Sequence, residues 1–246
     1  QEDDSGGLRA LLPLAGRTLI EYQARCASAA GAAPIIILVE RIPAALNQAF
    51  ERLRQEGIGV IPVSDGSEAA SRFEPGQPIL LIGDGTVAPI ELVAQLAEEQ
   101  EPAVVTVPDD STHEQFERID GASRWAGVAV VEARTLGATA AMLGDWDLQS
   151  TLLRRALQAG ALQVPIAPAS PEPILAESTE SLAAFERGLI SGSRSARTDF
   201  ASRYVLPLIE DFATERLMES RIKPLWLVHF ALGLPMHRGT PLANDV

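Results

Sequence analysis

The stretch Gln77-Pro-Ile-Leu-Leu-Ile-Gly-Asp-Gly-Thr86 constrains this chain more than any other. Four apolar residues between Pro78 and Gly83 are too few for a buried helix, and the flanking Pro and Gly favour a central strand of a parallel sheet. Such a strand delivers the Asp84 carboxylate to the edge where open α/β sheets bind their ligands. Glycines on both sides let that carboxylate approach a metal and a phosphate with no bulky neighbour in the way. The competing reading of the same spacing is that Asp84 caps a helix starting near Pro89.

Strands and helices alternate around this stretch. Pro34 to Glu40 and Ile58 to Val63 are β-branched runs, and residues 43–56 between them carry Leu46, Phe50 and Leu53 at helical spacing. This pattern predicts a strand–helix–strand unit. A helix is expected over 89–99, with strands over 102–107, 125–131 and 162–166. Asp145-Trp-Asp147 reads as a helix start, with Asp147 capping residues 148–159. Upstream, Thr18 and Glu21 have capping-box spacing ahead of a helix that Gly31 stops, and Cys26 falls on its apolar face. A further helix is expected from Ser178 or Thr179 through Leu182, Phe185 and Leu189. The whole predicts an α/β fold in which a mostly parallel sheet is covered on both faces.

Composition narrows the function. The 246 residues carry a net charge of −13, which repels phosphate backbones and argues against a general nucleic-acid binder. Residues 1–190 hold 27 acidic and 13 basic side chains, whereas 191–246 hold 6 and 7, placing a boundary near 190. Two units are therefore expected: 1–190, and a linker with a helical tail over 191–246. No run reaches the ~18 apolar residues of a membrane span. Cys26 is the sole cysteine, so no disulfide framework or cysteine-based metal site is expected, and with no signal peptide a cytoplasmic location is expected. His113, His229 and His237 are too dispersed for a metal constellation.

Leu11-Leu-Pro-Leu-Ala-Gly-Arg-Thr-Leu-Ile-Glu21, then Gly83-Asp84, then Trp125-Ala-Gly-Val-Ala-Val130 stand in an order that resembles the sugar-phosphate and polyol-phosphate nucleotidyltransferases of the GT-A-like fold. The resemblance covers roughly residues 8–190. It implies a three-layer Rossmann-like (GT-A-type) domain that transfers a nucleotidyl group from an NTP, CTP before the others, to a phosphorylated sugar or polyol. It further implies Mg²⁺ held by Asp84 and by Glu177, the position matching the family's second metal aspartate. Gly6, Gly7 and Arg9 fall on the phosphate-cradling loop, and Ser64, Asp65, Gly66 and Ser67 lie where a base-contacting loop is expected; an ordinary turn reads equally well there. Arg9 stands where the family usually has Lys, Glu177 where it has Asp, and the family's first strand and most of its glycine-rich loop have no counterpart before Ser5. Arg and Lys are not interchangeable in a tight phosphate site, and Glu adds a methylene to a metal's ligand shell. The rival expectation is therefore a non-catalytic nucleotide-binding or scaffold domain of the same fold.

The tail segment Arg197-Thr-Asp-Phe-Ala-Ser-Arg-Tyr204 is weakly similar to the connector of bifunctional inositol-phosphate cytidylyltransferase/CDP-alcohol phosphotransferases. Leu225 to Leu234 is apolar but too short to cross a bilayer. It is expected to pack on the body or to join two copies through residues 200–236.

Overall fold

The computed structural model describes residues 8–142, 147–167, 172–176, 182, 183, 185 and 186. The chain enters as a 3-10 turn, Arg9–Leu11, followed by a minimal hairpin in which β1 (Pro13–Leu14) pairs with β2 (Arg17–Thr18). Its two linking residues, Ala15 and Gly16, have φ of 49° and 74°. Positive φ at both central positions matches the twist of antiparallel strands. Glu21 then receives the Thr18 backbone N–H at 2.9 Å and the Thr18 hydroxyl at 2.7 Å, so the expected capping box starts α1 (Leu19–Ala29). Cys26 is buried on this helix, as its spacing implied.

Next comes the expected strand–helix–strand unit. β3 (Ile35–Leu38) pairs in parallel with β4 (Val60–Val63), and α2 (Ala44–Gln55) between them buries Leu46, Ala49, Phe50 and Leu53. Glu21 is wholly buried where α1 meets α2 and is gripped by Arg52, with Nε to Oε1 and Nη2 to Oε2 both at 2.8 Å. Burial alone would raise the carboxyl pKa, but the Arg52 guanidinium and the two Thr18 donors outweigh it and hold it below its ordinary value.

The remaining elements are α3 (Gly66–Ala70), β5 (Pro78–Ile82), β6 (Thr86–Val87), α4 (Ile90–Ala97), β7 (Ala103–Pro108), β8 (Ser123–Glu132), α5 (Ala133–Ala140), α6 (Leu148–Gln158), β9 (Leu162–Pro165) and β10 (Ile174–Leu175). Four of these strands form one sheet in the order β5-β8-β7-β9. β8 runs antiparallel to both β5 and β7, while β9 runs parallel to β7. β5, β7 and β9 thus share one direction and β8 alone is reversed. The expected parallel neighbours of β5 are not found among the described residues, where its partner is the reversed β8. β6 and β10 form a separate antiparallel pair.

The period of two along β8 shows why the sheet is covered on both faces. Ala126, Val128 and Val130 enter a core with Tyr22 of α1 and Val93 and Leu96 of α4. Trp125, Ala129 and Val131 enter another with Leu136 of α5 and Leu152 and Leu153 of α6. A strand buried on both faces must be apolar at successive positions, which is the pattern that marked 125–131 in the sequence. Ile36 of β3 and Ile79 and Leu81 of β5 pack against the second core, so the parallel pair and the four-stranded sheet contribute to one core although no hydrogen bonds join them among the described residues. The fold is mixed α/β with parallel sheet elements, in three layers. None of the described helices is long and apolar enough to cross a membrane. Residues 1–7, 143–146, 168–171, 177–181, 184 and 187–246 lie outside the described residues, and with them the expected linker and helical tail.

Candidate functional site

Asp84 stands on a tight turn between β5 and β6. The turn closes through Thr86 N–H donating to Gly83 C=O at 3.1 Å, and Gly83 N–H donates to the carbonyl of Gly127 on β8 at 2.7 Å. A side chain would be crowded at both contact points, and at Gly127 far more than at Gly83. A Cβ on Gly83 would come within 3.1 Å of the Trp125 ring and 3.0 Å of Thr86 Oγ1, and one on Gly127, whose φ is 83°, would meet Thr86 Oγ1 at 2.1 Å. Trp125 is held against the turn by its own indole N–H, which donates to Val128 C=O at 3.0 Å. The Trp-Ala-Gly sequence of β8 is thus the support on which Gly83-Asp84 rests. α4 begins at Pro89 with no side-chain cap, so capping that helix is not the role of Asp84.

Two further segments converge on this turn. Arg9 places Nη1 3.6 Å from Asp84 Oδ2, an ion pair whose side chains are 24% and 35% exposed. Both side chains are partly exposed, but Asp84 Oδ2, the oxygen facing Arg9, and Arg9 Nε are themselves buried. From much later in the chain, β10 pairs with β6, and Ala176 N–H donates to Gly85 C=O at 2.7 Å. Gly85 has a φ of 72°, and a Cβ there would sit 3.4 Å from Ala176 O and 3.5 Å from Arg9 Cδ. Without a side chain at 85, both neighbours close in on the turn. Glu177 follows Ala176 directly in the chain but lies outside the described residues, as do Gly6 and Gly7.

The Ser64–Ser67 loop is committed to local bonds. Asp65 caps α3 by accepting Glu68 N–H at 2.8 Å, and the Glu68 carboxylate accepts Ser64 N–H at 3.1 Å. A Cβ on Gly66 would meet Leu148 Cδ2 at 2.8 Å, while the next residue of α6, Gln149, accepts Asp84 N–H at 2.9 Å. The first turn of α6 therefore links this loop to the Asp84 turn. Asp147 caps that helix by accepting Gln149 N–H at 2.9 Å, as its place in Asp145-Trp-Asp147 implied; Asp145 is outside the described residues.

Gln23 and Gln149 are contributors that no motif marked. Gln23 Nε2 donates to the carbonyls of Gly83 at 3.1 Å and Thr86 at 2.8 Å. His113 is a buried tie: Nδ1 lies 2.8 Å from Asp110 Oδ1 and Nε2 3.4 Å from Glu172 Oε2, just ahead of β10. Among the described residues, no group of three or more His, Cys, Asp or Glu side chains is placed to hold a metal ion.

No family model matches the chain. No curated protein matches it in sequence. Its fold is similar to that of a Bacillus anthracis protein assigned as a glucose-1-phosphate thymidylyltransferase and crystallised with sucrose, with a TM-score of 0.56 at 11% identity over 73% of this chain and 85% of that one. The molecule has a nucleotidyltransferase-like, Rossmann-like fold.

Proposed function

We propose that this protein is a nucleotidyltransferase that moves a nucleotidyl group from an NTP, CTP before the others, to a phosphorylated sugar or polyol. The observation that carries the reading is the Asp84–Arg9 pair: a partly exposed carboxylate side chain and a guanidinium share one glycine-flanked turn after the apolar strand β5. The fold similarity supports it, and so does the motif order in the sequence.

In the reaction, an oxygen of the acceptor's phosphate attacks the α-phosphorus of the NTP. A new phosphorus–oxygen bond forms, the bond from α-phosphorus to the bridging oxygen breaks, and pyrophosphate leaves with that electron pair. An acceptor phosphate is already a nucleophile, so the protein's task is alignment and charge stabilisation. Arg9 supplies a permanent bidentate cation for phosphate oxygens. The −13 chain offers such charge sparingly, so Arg9 at this turn provides local attraction for the anionic substrates.

The donor chemistry fits Mg²⁺, which is commonly held by one or two carboxylates together with substrate phosphates. Asp84 would hold it, with Glu177 as the second ligand by sequence position. When bound, the ion would offset negative charge on the phosphates. Gly6 and Gly7 would line the phosphates, and the Ser64–Ser67 loop would face the base.

Calorimetric titration with CTP, GTP, UTP and ATP, with and without Mg²⁺, tests the proposal together with a pyrophosphate-release assay over sugar and polyol phosphates. Metal-dependent binding and pyrophosphate release are expected. The Arg9–Asp84 ion pair also favours a second reading, in which the guanidinium occupies the carboxylate and the domain binds a nucleotide without turnover. Metal-independent binding would replace the first reading with the second, and no binding would leave a scaffold.

A further inference from the structure

We infer that Gln23 and Gln149 are positioning residues: two uncharged amides that together set the backbone of the Asp84 turn. The turn belongs to a strand end and has little local structure of its own. Beside its backbone bonds, the turn receives side-chain bonds from two helices on opposite faces of the sheet. From α1, the Gln23 amide nitrogen binds the carbonyls on either side of Asp84, those of Gly83 and Thr86, at 3.1 and 2.8 Å. From the first turn of α6, Gln149 Oε1 accepts the N–H of Asp84 itself at 2.9 Å. Gln149 is in turn oriented by the Asp147 cap on its own N–H at 2.9 Å. An amide is the apt choice for this work. A Lys at 23 would bring a cation to a carboxylate proposed to serve a metal, and a carboxylate at 149 would set like charge beside it, whereas glutamine supplies donor and acceptor with no net charge.

Because both helices pack into the cores of the sheet, the turn's orientation is referred to the body of the fold and not to its own flexible glycines. Groups that orient a metal's ligands typically govern its affinity by about 10–100-fold. The inference rests on the proposed role of Asp84 as the metal carboxylate, so the test has one arm that depends on that role and one that does not.

In the independent arm, amide hydrogen exchange of Asp84 is followed by NMR in the full chain. Gln149→Ala should speed exchange at Asp84 by about tenfold or more at an unchanged melting temperature, and Gln149→Glu, which keeps the acceptor oxygen, should restore protection. In the dependent arm, Gln23→Ala and Gln149→Ala should each weaken Mg²⁺-dependent binding of whichever nucleotide the wild type binds by about 10–100-fold. Unchanged protection of Asp84 in Gln149→Ala would overturn the inference. So would nucleotide affinity equal to wild type in both alanine variants. A wild type that binds no nucleotide with Mg²⁺ would refute the proposed function alone, and the exchange arm would still decide whether the amides hold the turn.

Discussion

Replacing Arg52 with Met should cost this fold about 3 kcal/mol at neutral pH. Arg52 makes two 2.8 Å bonds to Glu21, whose side chain is 0% exposed, so the variant strands a carboxylate between α1 and α2 with only the Thr18 donors. Removing one partner of a buried pair costs about 3–5 kcal/mol; Arg52 is itself 36% exposed, so solvent partly screens the pair and the lower end applies. Methionine keeps most of the apolar stem, which confines the loss to charge. In urea, with a slope of roughly 2–3 kcal/mol per M, the unfolding midpoint should fall by about 1–1.5 M.

The loss must also depend on pH. In the wild type the folded-state pKa of Glu21 is depressed, so its contribution is present above the ordinary carboxylate pKa of about 4.3 and disappears as pH falls through the lower folded value. In the variant, burial is largely unopposed and raises the folded pKa, so the variant loses stability as pH rises through that range. The two curves should therefore diverge at neutral pH and converge as pH falls through the depressed folded value of Glu21. Glu21→Gln combined with Arg52→Met should recover most of the neutral-pH loss. A pH-independent difference, or a loss at pH 7 under about 1 kcal/mol, would refute the argument.

Further outcomes follow from the site and the tail. Gly127→Ala should destabilise the fold by roughly 2–4 kcal/mol, since the new methyl would lie 2.1 Å from Thr86 Oγ1 at a positive φ; a melting temperature equal to wild type would show that the Asp84 turn yields freely. Asp84→Asn should leave circular dichroism and melting unchanged while abolishing the Mg²⁺ dependence of nucleotide binding in calorimetry, because an amide is a poor ligand for this ion. A chain ending at Ser191 should remain folded and soluble by size-exclusion chromatography, and aggregation would show that the tail covers core surface. Trp226→Asp with Phe230→Asp should give a smaller assembly by light scattering or a lower melting temperature, as expected if this apolar segment covers protein surface; unchanged mass and melting with loss of vesicle binding would assign it to a membrane surface.

Local chemistry determined much of this protein from sequence alone. The Thr18–Glu21 box, the β3–α2–β4 unit, the 125–131 strand, the Asp147 cap and the place of Asp84 at a strand end each follow from residues within a few positions of one another, where propensity, periodicity and capping act. No local pattern marks the 3-10 turn Arg9–Leu11, the two-residue strands β1, β2, β6 and β10, or the alanine- and glycine-containing α5. Two residues carry no period. What completes the site was decided by tertiary structure. Arg9 meets Asp84, Gln23 and Gln149 grip its turn, and Ala176 closes on Gly85 across sequence separations that leave no local signature. The reversed direction of β8 is likewise a matter of how strands assemble: an apolar run buried on both faces reads the same whichever way its neighbours point, and only the pairing of its backbone hydrogen bonds settles it.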